Sequence, residues 1–285
     1  MPNYHPTLWV DDFAFLEAPR WHQNRLWVSD VFDKKLYTVQ PDGTRTHLCD
    51  VPHRPAGIGF LPDGTPIVVS MQDRKLLKLV DGAPMVHGDL SGIAVGDLND
   101  LVVDERGWVY TGNFGYDHHG GAPSKPTDMH VVDPNGAIHV AASGLEFPNG
   151  MVIINDGRTL VVAETWVSRL TAFDRSPDGT LSNARLYADL GNRQPDGICA
   201  DAENAIWAAS FNTGEFVRVL DGGEVTDRIT CGPHAIACVL GGTDGKTLFC
   251  SAYTGSIDDM GAGKRLGALF QVQVDVPGIG FSRGR

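Results

Sequence analysis

The sequence predicts an all-β fold, a six-bladed β-propeller with four-stranded antiparallel blades. Three observations predict it. A short apolar strand pattern recurs six times at a spacing of roughly 40–50 residues, the period of a propeller blade. Each copy is followed, after a short polar gap, by a second alternating strand, and each is entered through a turn-forming cluster. No segment carries a sustained helical period with caps.

The first strands are residues 25–30 (RLWVSD), 65–71 (TPIVVSM), 108–113 (WVYTGN), 159–165 (TLVVAET), 205–210 (AIWAAS) and 247–252 (TLFCSA). Their partners are residues 34–40, 74–80, 128–133, 168–174, 215–220 and 268–274. Turns such as Pro62-Asp63-Gly64 and Asn155-Asp156-Gly157 precede them; glycine after Asp or Asn supplies the positive φ of a hairpin. A sandwich of irregular hairpins would not repeat one strand pair six times. A propeller with a different blade count is the alternative architecture. The whole chain, residues 1–285, is expected to form one such domain.

Composition sets outer bounds. The chain has 285 residues, 42% hydrophobic and 20% charged, ample for a large core. A net charge of −12 repels nucleic acid and anionic lipid, so neither is an expected partner. The five cysteines are odd in number and form no C-x-x-C, which points to reduced thiols in a cytoplasmic protein. The N-terminus lacks a signal-peptide pattern, and no apolar run approaches the ~18 residues of a membrane span.

A further short strand precedes each first strand and is expected to be the innermost of its blade. The copies begin at Glu17, Ala56, Asn99, Asn149, Asp196 and Ile236. That register points toward the axis, where all blades meet. Singly, Asn149-Gly150 and Asp196-Gly197 are common turn dipeptides. Glu17, within Leu16-Glu17-Ala18-Pro19, is no turn residue, and a carboxylate there needs a partner. Together, two carboxylates and two amides converging on an axis suit a hard divalent cation.

At these residues the chain resembles the regucalcin (senescence marker protein) and gluconolactonase family. The resemblance runs nearly end to end. It is carried by residues 16–22 (LEAPRWH) with 25–30, Leu98-Asn99-Asp100, residues 147–151 (FPNGM) with 159–165, residues 169–174 (RLTAFD), Pro195-Asp196-Gly197 and Leu240-Gly241-Gly242. It implies a six-bladed propeller with one axial metal held by Glu17, Asn149 and Asp196. It also implies that Asn99 lies beside the metal and contacts substrate, and that Asp196 doubles as general base. Sugar-lactonase members often carry an arginine two residues before the Asn99 position. Here it is Asp97, which would repel an aldonate carboxylate and argues against gluconolactone.

The expected activity is metal-dependent hydrolysis of a lactone, with metal-activated water as nucleophile and Asp196 taking its proton. Ca²⁺ is favoured by an all-oxygen site; Mg²⁺, Mn²⁺ and Zn²⁺ also accept such ligands. The Gly-rich loop at residues 115–126, which makes the spacing from the third to the fourth repeat the longest, is either a solvated loop or a flap whose Tyr116, His118 or His119 touches substrate. Trp166 is expected to wall the pocket; Trp21, Trp27, Trp108 and Trp207 read as core. No G-x-S-x-G or Walker glycine loop occurs. An esterase or phosphotriesterase, and a non-enzymatic calcium-binding propeller, are the alternatives. The partner is a small lactone or ester, and an acidic surface is compatible with a monomer.

Overall fold

The computed structural model describes residues 4–280. It contains six four-stranded antiparallel sheets, the blades of a propeller. β1 (Thr7–Phe13) comes first in sequence but belongs to the last blade. Blade 1 is β2 (Leu16–His22), β3 (Arg25–Asp30), β4 (Lys35–Val39) and β5 (Arg45–Asp50). Blade 2 is β6 (Pro55–Phe60), β7 (Pro66–Ser70), β8 (Lys75–Val80) and β9 (Ala83–Asp89). Blade 3 is β10 (Leu98–Val103), β11 (Val109–Asn113), β12 (Thr127–Val132) and β13 (Ile138–Leu145). Blade 4 is β14 (Pro148–Ile154), β15 (Thr159–Glu164), β16 (Arg169–Arg175) and β17 (Leu181–Asp189). Blade 5 is β18 (Pro195–Ala200), β19 (Ile206–Ser210), β20 (Glu215–Val219) and β21 (Val225–Thr230). Blade 6 is β22 (His234–Gly241), β23 (Thr247–Tyr253), β24 (Gly267–Gln273) and, outermost, β1.

The ring closes through non-local pairing: β1 lies antiparallel to β24, with Thr7 opposite Gln271 and Phe13 opposite Gly267. The innermost strands touch in the cyclic order β2, β6, β10, β14, β18, β22 and back to β2. Six apolar clusters hold the blades together, one at each blade interface. Trp21 of blade 1 stacks on Phe249 of blade 6 at 4.9 Å, and Trp27 and Trp207 are buried between blades. Trp108 packs in the cluster between blades 3 and 4.

The turns follow their chemistry. In Pro-Asp-Gly-Thr loops the Asp side chain accepts the Thr backbone N–H, as from Thr44 to Asp42 and from Thr65 to Asp63, both at 2.9 Å. Gly43 and Gly64 supply φ of 86° and 85°.

Residues 115–126 join β11 to β12 inside blade 3. Among the described residues one short helix occurs, α1 (Ile257–Gly261), with a capping box between Ser256 and Asp259. Asn149-Gly150 and Asp196-Gly197 lie in the innermost strands, as their register predicts, and not in turns. Their glycines serve close approach instead: a Cβ on Gly150 would lie 2.6 Å from the Ile198 backbone N, and one on Gly197 2.2 Å from Ala237 Cβ.

Candidate metal centre and substrate pocket

Each innermost strand slips register near its start: between Glu17 and Arg20, Pro55 and Ile58, Leu98 and Leu101, Pro148 and Met151, Pro195 and Ile198, and Ala235 and Ala237. A bulge re-aims the side chain beside it, and here the same device repeats around the ring. In blade 1 the bulge places Ala18 at φ 49°, a left-handed conformation that an alanine adopts only when held there.

The bulges bring Glu17, Asn99, Asn149 and Asp196 to one pocket of about 380 Å³. Asn99, Asn149 and Asp196 are buried, and Glu17 is partly so. The remaining two leading residues, Ala56 and Ile236, are buried and apolar.

Hydrogen bonds around the ring orient the two amides. Asn99 Nδ2 donates to the Pro148 carbonyl at 3.3 Å. Asn149 Nδ2 donates to Thr165 Oγ1 at 3.2 Å, and Thr165 Oγ1 donates to the Pro195 carbonyl at 2.8 Å. Each amide nitrogen is therefore tied toward the blade that follows, which leaves its oxygen as the group available to the axis.

Electrostatics give the centre its character. Burial, then the Asp196 and Asp100 charges, push the Glu17 carboxyl well above the ordinary range. Burial likewise pushes Asp196 up to about 8, with the Asn149 amide opposing. The cation whose charge opposes the shift of Glu17 is Arg20, whose Nη2 bonds Asp100 at 2.8 Å and the Leu101 carbonyl at 3.1 Å. Asp100 is thereby balanced, while Glu17 and Asp196 are not. Asp196 Oδ1 is buried without a hydrogen-bond partner. Such an orphaned carboxylate oxygen, beside a second carboxylate and two amide oxygens, fits a divalent cation. Among the described residues no three His, Cys, Asp or Glu side chains cluster for a metal, so a cation here would need the amide oxygens as ligands.

Above this floor the walls are aromatic. Phe114 stacks on Phe147 at 4.5 Å, Phe147 meets Trp166 at 4.8 Å, and Phe15 meets Phe32 at 5.1 Å. His118 and His119 also line the pocket. Trp166 Nε1 donates to Tyr116 Oη at 2.7 Å, and Tyr116 Oη lies 3.2 Å from His118 Nδ1. An indole only donates, so Tyr116 accepts from it and has its own proton free for His118 Nδ1. Given to His118 Nδ1, that proton would pair with the tautomer protonated on Nε2. Burial, then the neighbouring His119, depress the His118 pKa, so the ring is neutral.

The sequence-predicted residues thus divide. Glu17, Asn99, Asn149, Asp196, His118 and Trp166 share the pocket. Tyr116 is buried behind it and reaches it through Trp166 and His118. Asp97 lies outside the pocket lining; its carboxylate acts on His118 and His119 through its charge. Sequence reasoning missed Thr165, the Arg20–Asp100 pair and Arg54, whose Nη1 meets His119 Nε2 at 3.0 Å. A larger cavity, about 460 Å³, opens near Asn155 and Asn204, at the opposite ends of the same inner strands. It holds none of the axial oxygens.

Known proteins share this architecture. Residues 15–254 match the family profile described as SMP-30/Gluconolactonase/LRE-like region. Pentonolactonase XacC of Haloferax volcanii is 25% identical, over 92% of this chain and 91% of its own. The 6-deoxy-6-sulfogluconolactonase of Pseudomonas putida is 25% identical over 92% of both chains. The crystal structure of a calcium-binding protein, regucalcin, from Agrobacterium tumefaciens superposes with a TM-score of 0.82, covering 96% of this chain and 95% of that one. At 20% identity it speaks to the fold alone.

Proposed function

The chain belongs to the SMP-30/Gluconolactonase/LRE-like family, and from that premise we propose that it is a metal-dependent lactonase, a carboxylic ester hydrolase. Glu17, Asn149 and Asp196 would hold one divalent cation, Ca²⁺ in preference to Mg²⁺, Mn²⁺ or Zn²⁺ because all donors are oxygens. The observation that carries the reading is the buried, partnerless Oδ1 of Asp196 in the same pocket as Glu17 and two oriented amides. Named lactonases among the relatives support it.

When bound, the cation supplies Lewis-acid polarisation of the lactone carbonyl and acidifies water. The residues do the rest. Asn99, fixed through Pro148, bonds the substrate. Asp196 takes the proton of the attacking water as its oxygen adds to the carbonyl carbon. The ring C–O bond then breaks, and the departing alkoxide takes that proton back from Asp196, which leaves a hydroxy acid and restores the carboxylate. His118 Nε2–H donates to the substrate, and Trp166 excludes water from one side.

All four axial oxygens come from one chain, so residues 1–285, acting as a single domain, suffice as a monomer. The five free cysteines support a reducing, cytoplasmic setting. The test is acid release from a lactone panel by chelator-stripped protein, with and without one added divalent ion. Turnover only with metal is expected. Metal binding without lactone turnover would transfer the site to ester or phosphotriester hydrolysis, or to calcium binding alone.

A further inference from the structure

We propose that the pocket selects uncharged lactones with an apolar substituent, aryl-fused rings above all, over polyhydroxylated or anionic ones. The inference rests on the lactonase reading and names its substrate class. It departs from the two sugar lactonases among the relatives, and the pocket walls are the reason.

The pocket has two zones. Its floor carries Glu17, Asn99, Asn149 and Asp196, where the reacting carbonyl would sit, and Thr165, Gln194, Arg54 and the two histidines add polar edges. Its walls present Phe15, Phe32, Phe114, Phe147, Trp166 and Phe211. Phe114, Phe147 and Trp166 form a continuous ladder along one wall, and Phe15 and Phe32 face each other in a second pair. Trp166 and Phe32 remain 37% and 38% exposed, so each has apolar surface still to cover. A flat hydrocarbon substituent gains by filling that space.

A sugar acid lactone would meet the reverse. Its hydroxyls would exchange water for ring faces that offer no hydrogen bond. Among the described residues, the single lysine or arginine lining the pocket is Arg54. Its Nη1 is bonded to His119, and its guanidinium stacks over Phe32 at 5.3 Å. It is therefore held against the wall and is not presented to a carboxylate or sulfonate. His118 and His119 are held neutral by burial. Asp97 adds negative charge beside both histidines, a further bias against anions. The volume of about 380 Å³ accommodates a bicyclic lactone.

Two measurements separate this inference from the reading beneath it. The first is calorimetric binding of non-hydrolysable lactams to the calcium-loaded protein, 3,4-dihydroquinolin-2-one against D-glucono-δ-lactam. The aryl lactam is expected to bind about tenfold or more tighter, the usual discrimination of an apolar wall. Phe32→Ala and Trp166→Ala, on separate walls, should each weaken the aryl lactam several-fold more than the sugar lactam. Equal or tighter binding of the sugar lactam, or no binding of the aryl lactam, overturns the inference. The second is turnover of 3,4-dihydrocoumarin against D-glucono-δ-lactone with calcium present, where the aryl lactone is expected to show the larger kcat/KM. Faster sugar-lactone turnover overturns the substrate class and leaves lactone hydrolysis standing. Preferential binding of the aryl lactam with no turnover of either lactone overturns the lactonase reading and leaves the pocket's preference standing.

Discussion

Trp166 Nε1 and Tyr116 Oη are 2.7 Å apart, which ties an exposed indole on the pocket wall to a buried phenol fifty positions earlier in the chain. Tyr116 lies 3.2 Å from His118 Nδ1, so one hydrogen-bonded chain spans two loops and ends on a histidine of the pocket. The three side chains act as one unit.

Removing the middle member tests that unit. Tyr116→Phe deletes the proton given to His118 and leaves the ring in either tautomer. We expect kcat/KM to fall about tenfold, the scale of one hydrogen bond. His118→Gln should fall similarly, and the double variant should fall little further, because the two losses are one interaction. Additive losses in the cycle would show that Tyr116 acts independently of His118.

The axial carboxylates make a prediction about metal removal. Chelation is expected to lower Tm at pH 8, since a ligand that binds only the folded state stabilises by ~2.7 kcal/mol at a hundred times its Kd. Asp196→Asn should raise the Tm of chelated protein by relieving a buried, partnerless carboxylate. It should also remove most turnover while partly sparing metal binding. Unchanged kcat at full metal occupancy would remove Asp196 from the role of base.

Gly197 tests the close packing of the inner ring. Gly197→Ala would set a Cβ 2.2 Å from Ala237 Cβ and 2.8 Å from its Cα, where backbone must move. A loss of ~1–3 kcal/mol is expected, read as a lower Tm, with weakened metal binding because Asp196 is its neighbour. Gly64→Ala is the contrast. No atom lies within 4 Å of its added Cβ, and only its φ of +85° is unfavourable. Its metal affinity should match the parent. Equal metal affinity in Gly197→Ala would show that the ring tolerates the shift.

Acid stability follows from buried imidazoles. Burial lowers the pKa of His22, His87 and His130, and each has a ring nitrogen without a partner. An unfolded histidine titrates near ~6.5, so below that pH the unfolded chain binds more protons than the folded one. Stability is then fully present above that value and is lost as pH falls through the folded pKa values. Urea unfolding with calcium present should show a decline from pH 6.5 downward. His130→Gln should make that slope shallower; an identical slope would assign it to other groups.

The repeat was legible because its inner strands obey simple rules. Apolar runs such as residues 159–165 mark each blade directly, turns such as Pro62-Asp63-Gly64 bound several of them, and the leading residues recur at one register. The outer strands were not legible. Arg45–Asp50 (RTHLCD) is mostly exposed, so no apolar pattern marks it. The pairing of β1 with β24 joins segments some 260 positions apart, which no local pattern encodes. The glycines after Asn149 and Asp196 were ambiguous for a physical reason: Gly serves a turn and a close strand contact equally well. Asp97 precedes Asn99 by two positions yet misses the pocket lining, because alternation along a strand fails where register slips between Leu98 and Leu101. The Arg20–Asp100 and Trp166–Tyr116 pairs depend on neighbours known only from the folded ring.

The closure of blade 6 orders events during synthesis. Residues 7–13 leave the ribosome some 260 positions before their hydrogen-bonding partners, residues 267–273. Until then that segment waits as an unpaired edge, and blade 6 stays incomplete. The axial oxygens come from blades 1, 3, 4 and 5, so their geometry is complete only when the circle shuts. Nascent chains should therefore gain metal affinity in one late step, not blade by blade, with folding slowed by that long-range contact.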